Sequence, residues 1–384
     1  MQKYSLRKFI NDVHLWLGLA SGIVLFLVCL SGTLLVFEDE IKSFFTDDFV
    51  VEATQGEKMS IELLSDKLKE EGDITAVTLP ATAKEPYLFS IKTDPKQRRG
   101  STYYVNPYTG EYQKELKSSL DGFFMTMFRL HRWLLLDIEI GRPIVGIATI
   151  IFLILSISGI VLWFPKRLKW KNFKPGFKIK FSANWKRINH DLHNTLGFYA
   201  CIFLVIMCLT GLCWSFQWYR DAGSAVLGAK IFGNRGGGPK VSSSLAKDAK
   251  VVSVAEILEV VNTELAYEGQ IRLALPKTET EVYTITKNDA SGRSPVITDK
   301  LVLDRDGTVL KKEIFDEKPL NVQVASLIRP LHLGDIYGSF SKTLYFLACL
   351  IATSLPITGT LIWWNKLQKK RKRKKGKALR LETV

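Results

Sequence analysis

The five histidines of this chain are the side chains best suited to bind a metal, and all of them lie beside long apolar stretches. They are His14, His131, His190, His193 and His332. The polar regions, roughly residues 40–128 and 220–329, contain no histidine. Neutral imidazole is a common ligand of metal ions and of haem iron. Histidines placed around an apolar bundle therefore suggest ligands of a buried redox cofactor, and haem b is the first candidate.

Four apolar segments are long enough to cross a membrane. Each has 22 to 24 residues, and none contains Asp, Glu, Lys or Arg. A hydrocarbon core of about 30 Å needs about 20 helical residues at about 1.5 Å per residue. We therefore predict four transmembrane helices, over Leu15–Phe37, Pro143–Phe164, Thr195–Trp218 and Thr343–Trp364. The first is expected to be a retained anchor, because its apolar part is too long for a signal peptide and no A-x-A-like site follows.

The distribution of charge predicts the orientation of these helices. The segments before the first run, between the second and third, and after the fourth contain 22 basic and only three acidic residues. The long regions 38–142 and 219–339 have no basic excess. The positive-inside rule then places both termini and the middle loop in the cytoplasm and both long regions outside. We expect a multi-pass protein of the cytoplasmic (inner) membrane, and the net charge of +15 reflects this topology.

The basic tail and the cysteines exclude several other classes of protein. Residues Lys369–Lys375 are all basic, but they follow a membrane helix, so contact with anionic lipid is expected and no nucleic-acid partner. All five cysteines lie inside apolar runs, and no C-x-x-C motif occurs. A disulfide framework, a thiolate zinc site and a c-type haem are therefore not expected.

The two halves of the chain repeat one pattern. Aligning His14 with His193 also pairs Gly18 with Gly197, Cys29 with Cys208, and Ser31-Gly32 with Thr210-Gly211. His131 and His332 are likewise followed by Ser158-Gly159 and Thr358-Gly359, with a gap of one residue. Between its two apolar runs each half has an amphipathic helical pattern, over Ile61–Gly72 or Val254–Gly269, and then short strand patterns. We predict a unit of helix, external α+β domain and helix that occurs twice, with approximate two-fold symmetry about the membrane normal.

The predicted topology sorts four of the histidines into two levels. His14 and His193 begin the helices that run outward, so both are expected at the cytoplasmic side. His131 and His332 precede the helices that return, so both are expected at the outer side. Each level then has one imidazole from each half. Two imidazoles on opposite faces of one iron are what an axial pair of haem ligands requires.

Three residues beside the cytoplasmic level belong to the predicted site or its surroundings. Gly18 and Gly197 each follow a histidine by four residues, and such small side chains leave room for a flat macrocycle. Close helix–helix packing is the alternative explanation for these glycines. His190 lies three residues before His193, but its counterpart in the first half is Asn11. We expect His190 to support a ligand or to lie at the surface.

Arginines occur near the outer histidines and could hold haem propionates or an anionic substrate, because guanidinium pairs with carboxylates through two hydrogen bonds. They are Arg129, Arg132, Arg142 and Arg329. Interfacial snorkelling is the alternative for each. Bare zinc or copper is less favoured than haem iron, because most of the histidines have no Cys, Asp or Glu at ligand spacing. No residue is singled out as catalytic.

These motifs resemble those of the PepSY-associated transmembrane family. The resemblance rests on Val13-His14-Leu15-Trp16-Leu17-Gly18, Leu130-His131-Arg132-Trp133, Asp191-Leu192-His193 with Gly197, Leu331-His332-Leu333-Gly334 and the [ST]-Gly pairs. It covers nearly the whole chain. It implies an α-helical membrane bundle of four transmembrane helices in two parallel repeats, with two periplasmic α+β PepSY-like domains.

The boundaries that follow are expectations from the runs, the charges and this resemblance. They are residues 1–37 for the first helix with a cytoplasmic N-terminus, 38–128 for the first PepSY-like domain, 129–164 for an outer histidine segment and second helix, 165–193 for a basic cytoplasmic loop, 194–218 for the third helix, 219–328 for the second PepSY-like domain, 329–364 for an outer histidine segment and fourth helix, and 365–384 for a basic cytoplasmic tail.

The resemblance also implies an activity, that of an inner-membrane ferric-siderophore reductase with two b-type haems. Electrons would enter at a haem held by His14 and His193 and pass to a haem held by His131 and His332. They would then reduce Fe(III) bound to a periplasmic chelate such as a siderophore, and Fe(II), which these chelators bind less tightly, would be released for uptake. The donor would be an unidentified cytoplasmic protein or a quinol.

Two other functions stay open. One is a non-enzymatic membrane protein whose PepSY-like domains bind or restrain a periplasmic partner such as a protease. The other is a metal or solute permease. The permease is less favoured, because ion pathways usually need charged side chains within the membrane and the four apolar runs contain none.

Overall fold

The computed structural model describes residues 4–46, 49–51, 56–94, 100–115, 118–233, 241–245, 250–290, 292 and 294–382. Its α-helices are α1 (Leu6–Leu35), α2 (Glu38–Phe44), α3 (Ile61–Lys67), α4 (Asp121–Trp133), α5 (Ile138–Trp163), α6 (Trp170–Phe173), α7 (Trp185–Asp191), α8 (Gly197–Ser215), α9 (Gln217–Leu227), α10 (Val254–Glu264), α11 (Leu320–Leu333) and α12 (Gly338–Glu382). Its strands are β1 (Asp73–Leu79), β2 (Tyr87–Lys92), β3 (Ser101–Val105), β4 (Tyr112–Lys114), β5 (Ile271–Ala274), β6 (Tyr283–Lys287), β7 (Asp299–Leu303) and β8 (Val309–Glu313).

Four helices in the described part of the chain are long and apolar enough to cross a membrane. They cover Leu6–Leu35, Ile138–Trp163, Trp185–Ser215 and Gly338–Arg371. Each overlaps one of the predicted apolar runs, so the prediction of four candidate membrane helices is confirmed. Helix α1 packs against α5 and α12, and α8 packs against the same two helices. The four helices therefore form one bundle.

The two ends of the bundle differ. The Arg7 guanidinium, near the start of α1, donates to the carbonyl of Leu162 near the end of α5 at 2.7 Å, so these helices are antiparallel. We call the end where α1 begins the terminal side of the bundle. The opposite end, where α1 leads into the strands, is the sheet side. The chain connections then put the segment between α5 and α7 on the terminal side.

Two amphipathic helices that the sequence did not predict lie at the sheet side. Helix α4 carries His131 and α11 carries His332, where the sequence indicated only histidine segments. Helix α4 ends at Leu134, which is left-handed with a φ of 55°, and α11 ends at Gly334 with a φ of 77°. Both chain reversals lead directly into a long helix of the bundle. Each of these histidines is therefore positioned by a short helix of its own.

The third membrane helix is not regular at its start. A π-helix, Leu192–Leu196, connects α7 to α8 and contains His193. A π-helical turn widens a helix by one residue and occurs often at functional sites. In contrast, His14 lies within the regular α-helix α1. His14 therefore projects from a regular α-helix, whereas His193 projects from a π-helical turn.

The eight strands form one antiparallel sheet with the order β4-β3-β2-β1-β5-β6-β7-β8. Alternate residues of β2 and β6, such as Phe89 and Ile285, are buried, as expected for strands with one face on a core. Helices α3 and α10 supply Leu64 and Ile257 to the same core. The two predicted amphipathic helices and the strand patterns therefore occur, with small shifts at their ends.

The strands of the two predicted domains are joined in this one sheet. Strand β1 pairs with β5 in antiparallel register, from Ala76 opposite Ala274 to Leu79 opposite Ile271. From this central pair, β2, β3 and β4 follow outward on one side and β6, β7 and β8 on the other. The sequence indicated two separate domains, whereas the strands share main-chain hydrogen bonds across the join.

The last helix continues well beyond the bundle, since α12 extends to Glu382. Side chains of the basic tail are described as far as Arg371. Most of the stretch Lys369–Lys375, predicted to contact lipid, therefore lies outside the described side chains. All five cysteines are free and buried, as their places in the apolar runs led us to expect.

Candidate functional site

Four of the five histidines lie in two pairs, one at each end of the bundle. The ring centroids of His14 and His193 are 6.3 Å apart at the terminal side, with an angle of 87° between the ring planes. Those of His131 and His332 are also 6.3 Å apart at the sheet side, with an angle of 54°. We call these the terminal-side pair and the sheet-side pair. Each contains one imidazole from each half of the chain.

At the terminal side, a hydroxyl of a neighbouring helix anchors each imidazole. Nδ1 of His14 is 2.8 Å from Oγ of Ser158, and that hydroxyl donates to the Leu155 carbonyl at 3.1 Å. Nδ1 of His193 is 2.9 Å from Oγ1 of Thr358, whose hydroxyl also donates to its own helix. Each hydroxyl has a carbonyl acceptor within its own helix, so the tautomer with a proton on Nδ1 is the one that completes this hydrogen-bond arrangement. Nε2 of both rings then keeps its lone pair.

At the sheet side, a backbone carbonyl of a neighbouring helix anchors each imidazole. Nδ1 of His131 is 2.9 Å from the carbonyl oxygen of Val28, and Nδ1 of His332 is 3.1 Å from that of Met207. A carbonyl oxygen only accepts, so both Nδ1 atoms are donors. Oγ1 of Thr210 lies 3.0 Å from Nδ1 of His332 as well. These rings therefore also leave Nε2 as the unprotonated nitrogen, which is the form that binds a metal.

Burial keeps the sheet-side rings neutral. It lowers the pKa of His131, and the Arg132 charge acts in the same direction. Burial also lowers the pKa of His332 to about 3, with a further contribution from His131. Both imidazoles are consequently uncharged at neutral pH, as metal ligands must be.

A cavity of about 360 Å³ adjoins the terminal-side pair. His14, His193 and both predicted glycines, Gly18 and Gly197, contribute to its wall. A Cβ added at Gly18 would meet only a methyl of Leu155 at 3.8 Å, so space is available beside it. The structure thus brings together the histidines and glycines that the sequence placed at this level.

Basic and polar side chains that the sequence analysis did not select also line this cavity. They include Arg7, Asn11, Asn194 and Lys366. Arg7, Asn11 and Asn194 could have been indicated by their nearness in sequence to His14 and His193, whereas Lys366 is far from any histidine in sequence and only the packing of the helices brings it here. They supply cationic and hydrogen-bonding groups at the terminal-side opening.

His190 lies in the same wall but differs from the paired histidines. Its side chain is 54% exposed, and its Nδ1 is 3.5 Å from Oδ1 of Asp191. That carboxylate is held by Arg187, whose Nε lies 2.8 Å away. His190 therefore lies at the rim of the cavity, outside the buried pair.

The four arginines predicted near the outer histidines lie at the sheet side with different surroundings. Arg132 is half-buried over the rings of Phe128 and Trp133, and its charge reaches both sheet-side histidines. The side chains of the other three are exposed. They are Arg129, Arg142 and Arg329. Arg132 is thus the member of this set whose charge acts on both histidines of the pair.

The family assignment comes from the sequence as a whole. A family model described as "PepSY-associated TM region" matches residues 12–366. The chain belongs to this family. A comparison with curated proteins finds no match.

The PepSY-associated TM region of this chain includes all five histidines and both pairs. Within the residues that the structure describes, no group of three or more His, Cys, Asp or Glu side chains could hold a metal ion. Two imidazoles are too few for the usual four-coordinate zinc site. They are the number that a haem iron takes as axial ligands, because the macrocycle supplies the other four.

Proposed function

We propose that this protein carries electrons across the cytoplasmic membrane and reduces ferric chelates on the outer side. In this proposal His14 and His193 hold one b-type haem and His131 and His332 hold a second. When bound, each haem supplies a one-electron iron couple. One electron from a cytoplasmic protein or quinol donor then converts one chelated Fe(III), such as a ferric siderophore, to Fe(II), which is released for uptake.

The observation that carries the proposal is the separation of the imidazoles in both pairs. Two rings bound to opposite sides of one metal, with bonds of about 2 Å and ring radii of about 1.2 Å, have centroids about 6.4 Å apart. Both pairs measure 6.3 Å. Hydrogen bonds at Nδ1 leave Nε2 of each ring available as the ligand. These separations and hydrogen bonds support the proposal that each pair holds one iron.

The distance between the levels suits transfer across the bundle. Along α1, His14 is fourteen residues from Val28, whose carbonyl contacts His131. At about 1.5 Å per residue, the two levels are about 21 Å apart along the helix. They lie near opposite ends of a bundle that spans the hydrocarbon core. In this proposal the terminal-side pair is near the surface where the donor binds, and the sheet-side pair is near the surface where the ferric chelate binds.

The charge pattern and the sheet support the orientation and duplication included in this proposal. Basic residues dominate the terminal-side segments, which the positive-inside rule puts in the cytoplasm. The strand order outward from the β1–β5 pair is the same in both halves, as a duplicated unit would give. We propose that the sheet lies outside the cytoplasm, in the periplasm, and that both termini are cytoplasmic. Arg132, beside the sheet-side pair, is then placed to attract an anionic ferric chelate.

Haem quantification of the purified protein tests the proposal directly. We expect about two b-type haems per chain in a pyridine haemochrome assay and a b-type spectrum after reduction. His14→Ala and His193→Ala should each remove the terminal-side haem, and His131→Ala and His332→Ala the sheet-side haem. Folded protein without haem would contradict the proposal and favour a partner-binding function for the sheet.

Reduction of the substrate is a separate measurement. Reduced protein in proteoliposomes should be reoxidised when a ferric chelate is added, with Fe(II) captured by a ferrous-specific chelator. The matched control is the Ga(III) complex of the same chelator, which has a similar charge and size but accepts no electron under these conditions. Equal reoxidation by both complexes would contradict ferric reduction as the function.

A further inference from the structure

Each of the four membrane helices has one site at which a paired histidine rests. The site consists of a hydroxyl residue, the glycine that follows it, and the carbonyl three residues before the hydroxyl. We call it a histidine seat. The seats are Leu155, Ser158 and Gly159 for His14; Leu355, Thr358 and Gly359 for His193; Val28, Ser31 and Gly32 for His131; and Met207, Thr210 and Gly211 for His332.

The polar part of each seat binds Nδ1. In all four seats the hydroxyl oxygen lies 3.0 to 3.2 Å from the carbonyl oxygen three residues earlier. In the seats of Ser31, Thr210 and Thr358 the hydroxyl also donates to the carbonyl four residues earlier, at 2.7 to 3.0 Å. The hydroxyl oxygen and the carbonyl oxygen three residues earlier form a local acceptor on the helix surface, and Nδ1 of the histidine lies 2.8 to 3.1 Å from one or both of them. The hydrogen bond determines which nitrogen is protonated and limits rotation of the ring.

The glycine of each seat lies against the Cε1 edge of the same ring. A Cβ added at Gly32 or Gly211 would lie 3.0 Å from Cε1 of His131 or His332, and one added at Gly359 would lie 3.1 Å from Cε1 of His193. At Gly159 the corresponding distance to His14 is 3.5 Å, an ordinary contact. Three of the four rings are therefore seated so closely that a methyl group would displace them.

Each paired histidine and its seat belong to the same half of the chain, whereas each pair combines the two halves. His14 rests on α5 and His131 on α1, both within the first half. His193 rests on α12 and His332 on α8, both within the second half. Each half thus fixes its own two imidazoles, and each pair forms where the two halves meet.

We propose that the four seats are positioning sites for the axial imidazoles, which orient each ring and raise the electron density at Nε2. This inference rests on the proposed function. Hydrogen bonds to the far nitrogen of a ligating histidine fix its orientation and increase its basicity, and their loss typically weakens metal binding about 10- to 100-fold. Packing of small residues alone would explain the glycines, but it would not explain a hydroxyl or carbonyl oxygen within 3.1 Å of Nδ1 of all four rings.

A series of Gly→Ala substitutions tests the steric part of the seat. We expect Gly32→Ala and Gly211→Ala to move the ring of His131 or His332 by a few tenths of an ångström, and so to shift the midpoint potential and the electron paramagnetic resonance signal of the sheet-side haem. Gly359→Ala should affect only the terminal-side haem. Gly22→Ala is the matched control, because Gly22 belongs to no seat and an added Cβ would make only an ordinary 3.7 Å contact with Pro356, so neither centre should change. Alanine favours helix over glycine, so these variants should retain their membrane helices.

A second series tests the hydrogen bond. Thr358→Val keeps the shape of the side chain and removes the hydroxyl, so the terminal-side haem should show a higher midpoint potential while the sheet-side haem stays unchanged. Thr358→Ser keeps the hydroxyl and should restore the original potential. A purely structural role for Thr358 predicts no such rescue by serine.

The outcomes separate the seat from the proposed function. If the wild-type protein binds two haems and every seat variant has the midpoint potentials and spectra of the wild type, the inference about the seats is wrong and the proposed function stands. A wild-type protein that folds without haem overturns both. A change confined to the level of the substituted seat, with Gly22→Ala silent, supports the inference.

Discussion

At the scale of single residues, each paired imidazole has one nitrogen committed to the protein and one left with a lone pair. The carbonyls of Val28 and Met207, beside His131 and His332, can only accept hydrogen bonds. The hydroxyls of Ser158 and Thr358, beside His14 and His193, donate to carbonyls of their own helices. The carbonyls fix the tautomer of His131 and His332, and the same tautomer, with the proton on Nδ1, suits the hydroxyls beside His14 and His193. His190 has no such seat, which separates it from the others.

The first prediction concerns His190 and His193. Because the His190 side chain is largely exposed and near a carboxylate, His190→Ala should leave the haem content at about two per chain. His193→Ala should remove the terminal-side haem, because Nε2 of that ring is the proposed ligand. A haemochrome assay on both variants is the measurement. Loss of a haem in His190→Ala with retention in His193→Ala would exchange the roles of the two residues.

The second prediction concerns the free space beside the terminal-side pair. Gly18 lines the 360 Å³ cavity, so Gly18→Leu should fill part of it and weaken retention of the terminal-side haem while sparing the sheet-side one. Gly18→Ala is the matched control, because its Cβ would make only an ordinary 3.8 Å contact with Leu155. Titration of the haem-free protein with haem gives both affinities. Equal loss at the two levels would contradict this placement of Gly18.

At the scale of secondary structure, the sheet-side histidines depend on two short helices. Helices α4 and α11 turn sharply into the bundle at Leu134 and Gly334, and this fixes where His131 and His332 enter it. Gly334 is needed there, because its φ of 77° is left-handed and a Cβ would lie 2.4 Å from the Tyr345 ring. The terminal-side histidines instead lie in the membrane helices themselves.

The sequence allowed prediction of the elements better than of their arrangement. The four membrane helices follow from runs of about twenty apolar residues, and strands such as β2 and β6 follow from alternation around Phe89 and Ile285. The β1–β5 join could not be predicted, because it pairs Val77 with Leu273, far apart in sequence, and strand patterns do not specify such partners. The [ST]-Gly pairs were visible as a repeat, but their contact with the histidines depends on helix packing.

The third prediction concerns the join within the sheet. Leu273 of β5 is fully buried and lies opposite Val77 of β1 and Ile285 of β6. Leu273→Ala should lower the free energy of unfolding of the sheet by about 2–5 kcal/mol, because it leaves a cavity at the centre of the core. Thr284→Ala, on the half-buried face of β6, is the control and should cost less. Chemical unfolding followed by circular dichroism in detergent measures both, and an equal cost would contradict a shared core at the join.

At the scale of the whole molecule, each histidine pair requires both halves of the chain. Each half seats its own imidazoles, and neither half alone supplies two to the same level. The sheet joins the halves a second time through β1 and β5. The relative position of the halves therefore controls both pairs at once, so a change at the join could alter the separation of the imidazoles without any change at the histidines.

The fourth prediction concerns orientation in the membrane. All five native cysteines are buried, so the protein offers little background for labelling with a membrane-impermeant maleimide. Lys84 lies beside the sheet and Lys171 in the terminal-side segment, and both side chains are exposed. In intact spheroplasts, Lys84→Cys should be labelled, whereas Lys171→Cys should be labelled only after permeabilisation, because the positive-inside rule predicts a cytoplasmic location for the basic segments.

Both variants must first be shown to react equally after detergent is added, which establishes that each thiol is accessible. The reverse pattern in intact spheroplasts would put the sheet in the cytoplasm. The sheet-side pair and Arg132 would then face the cytoplasm, and an external ferric chelate could not reach them. The labelling result therefore bears on the direction of electron flow independently of haem content.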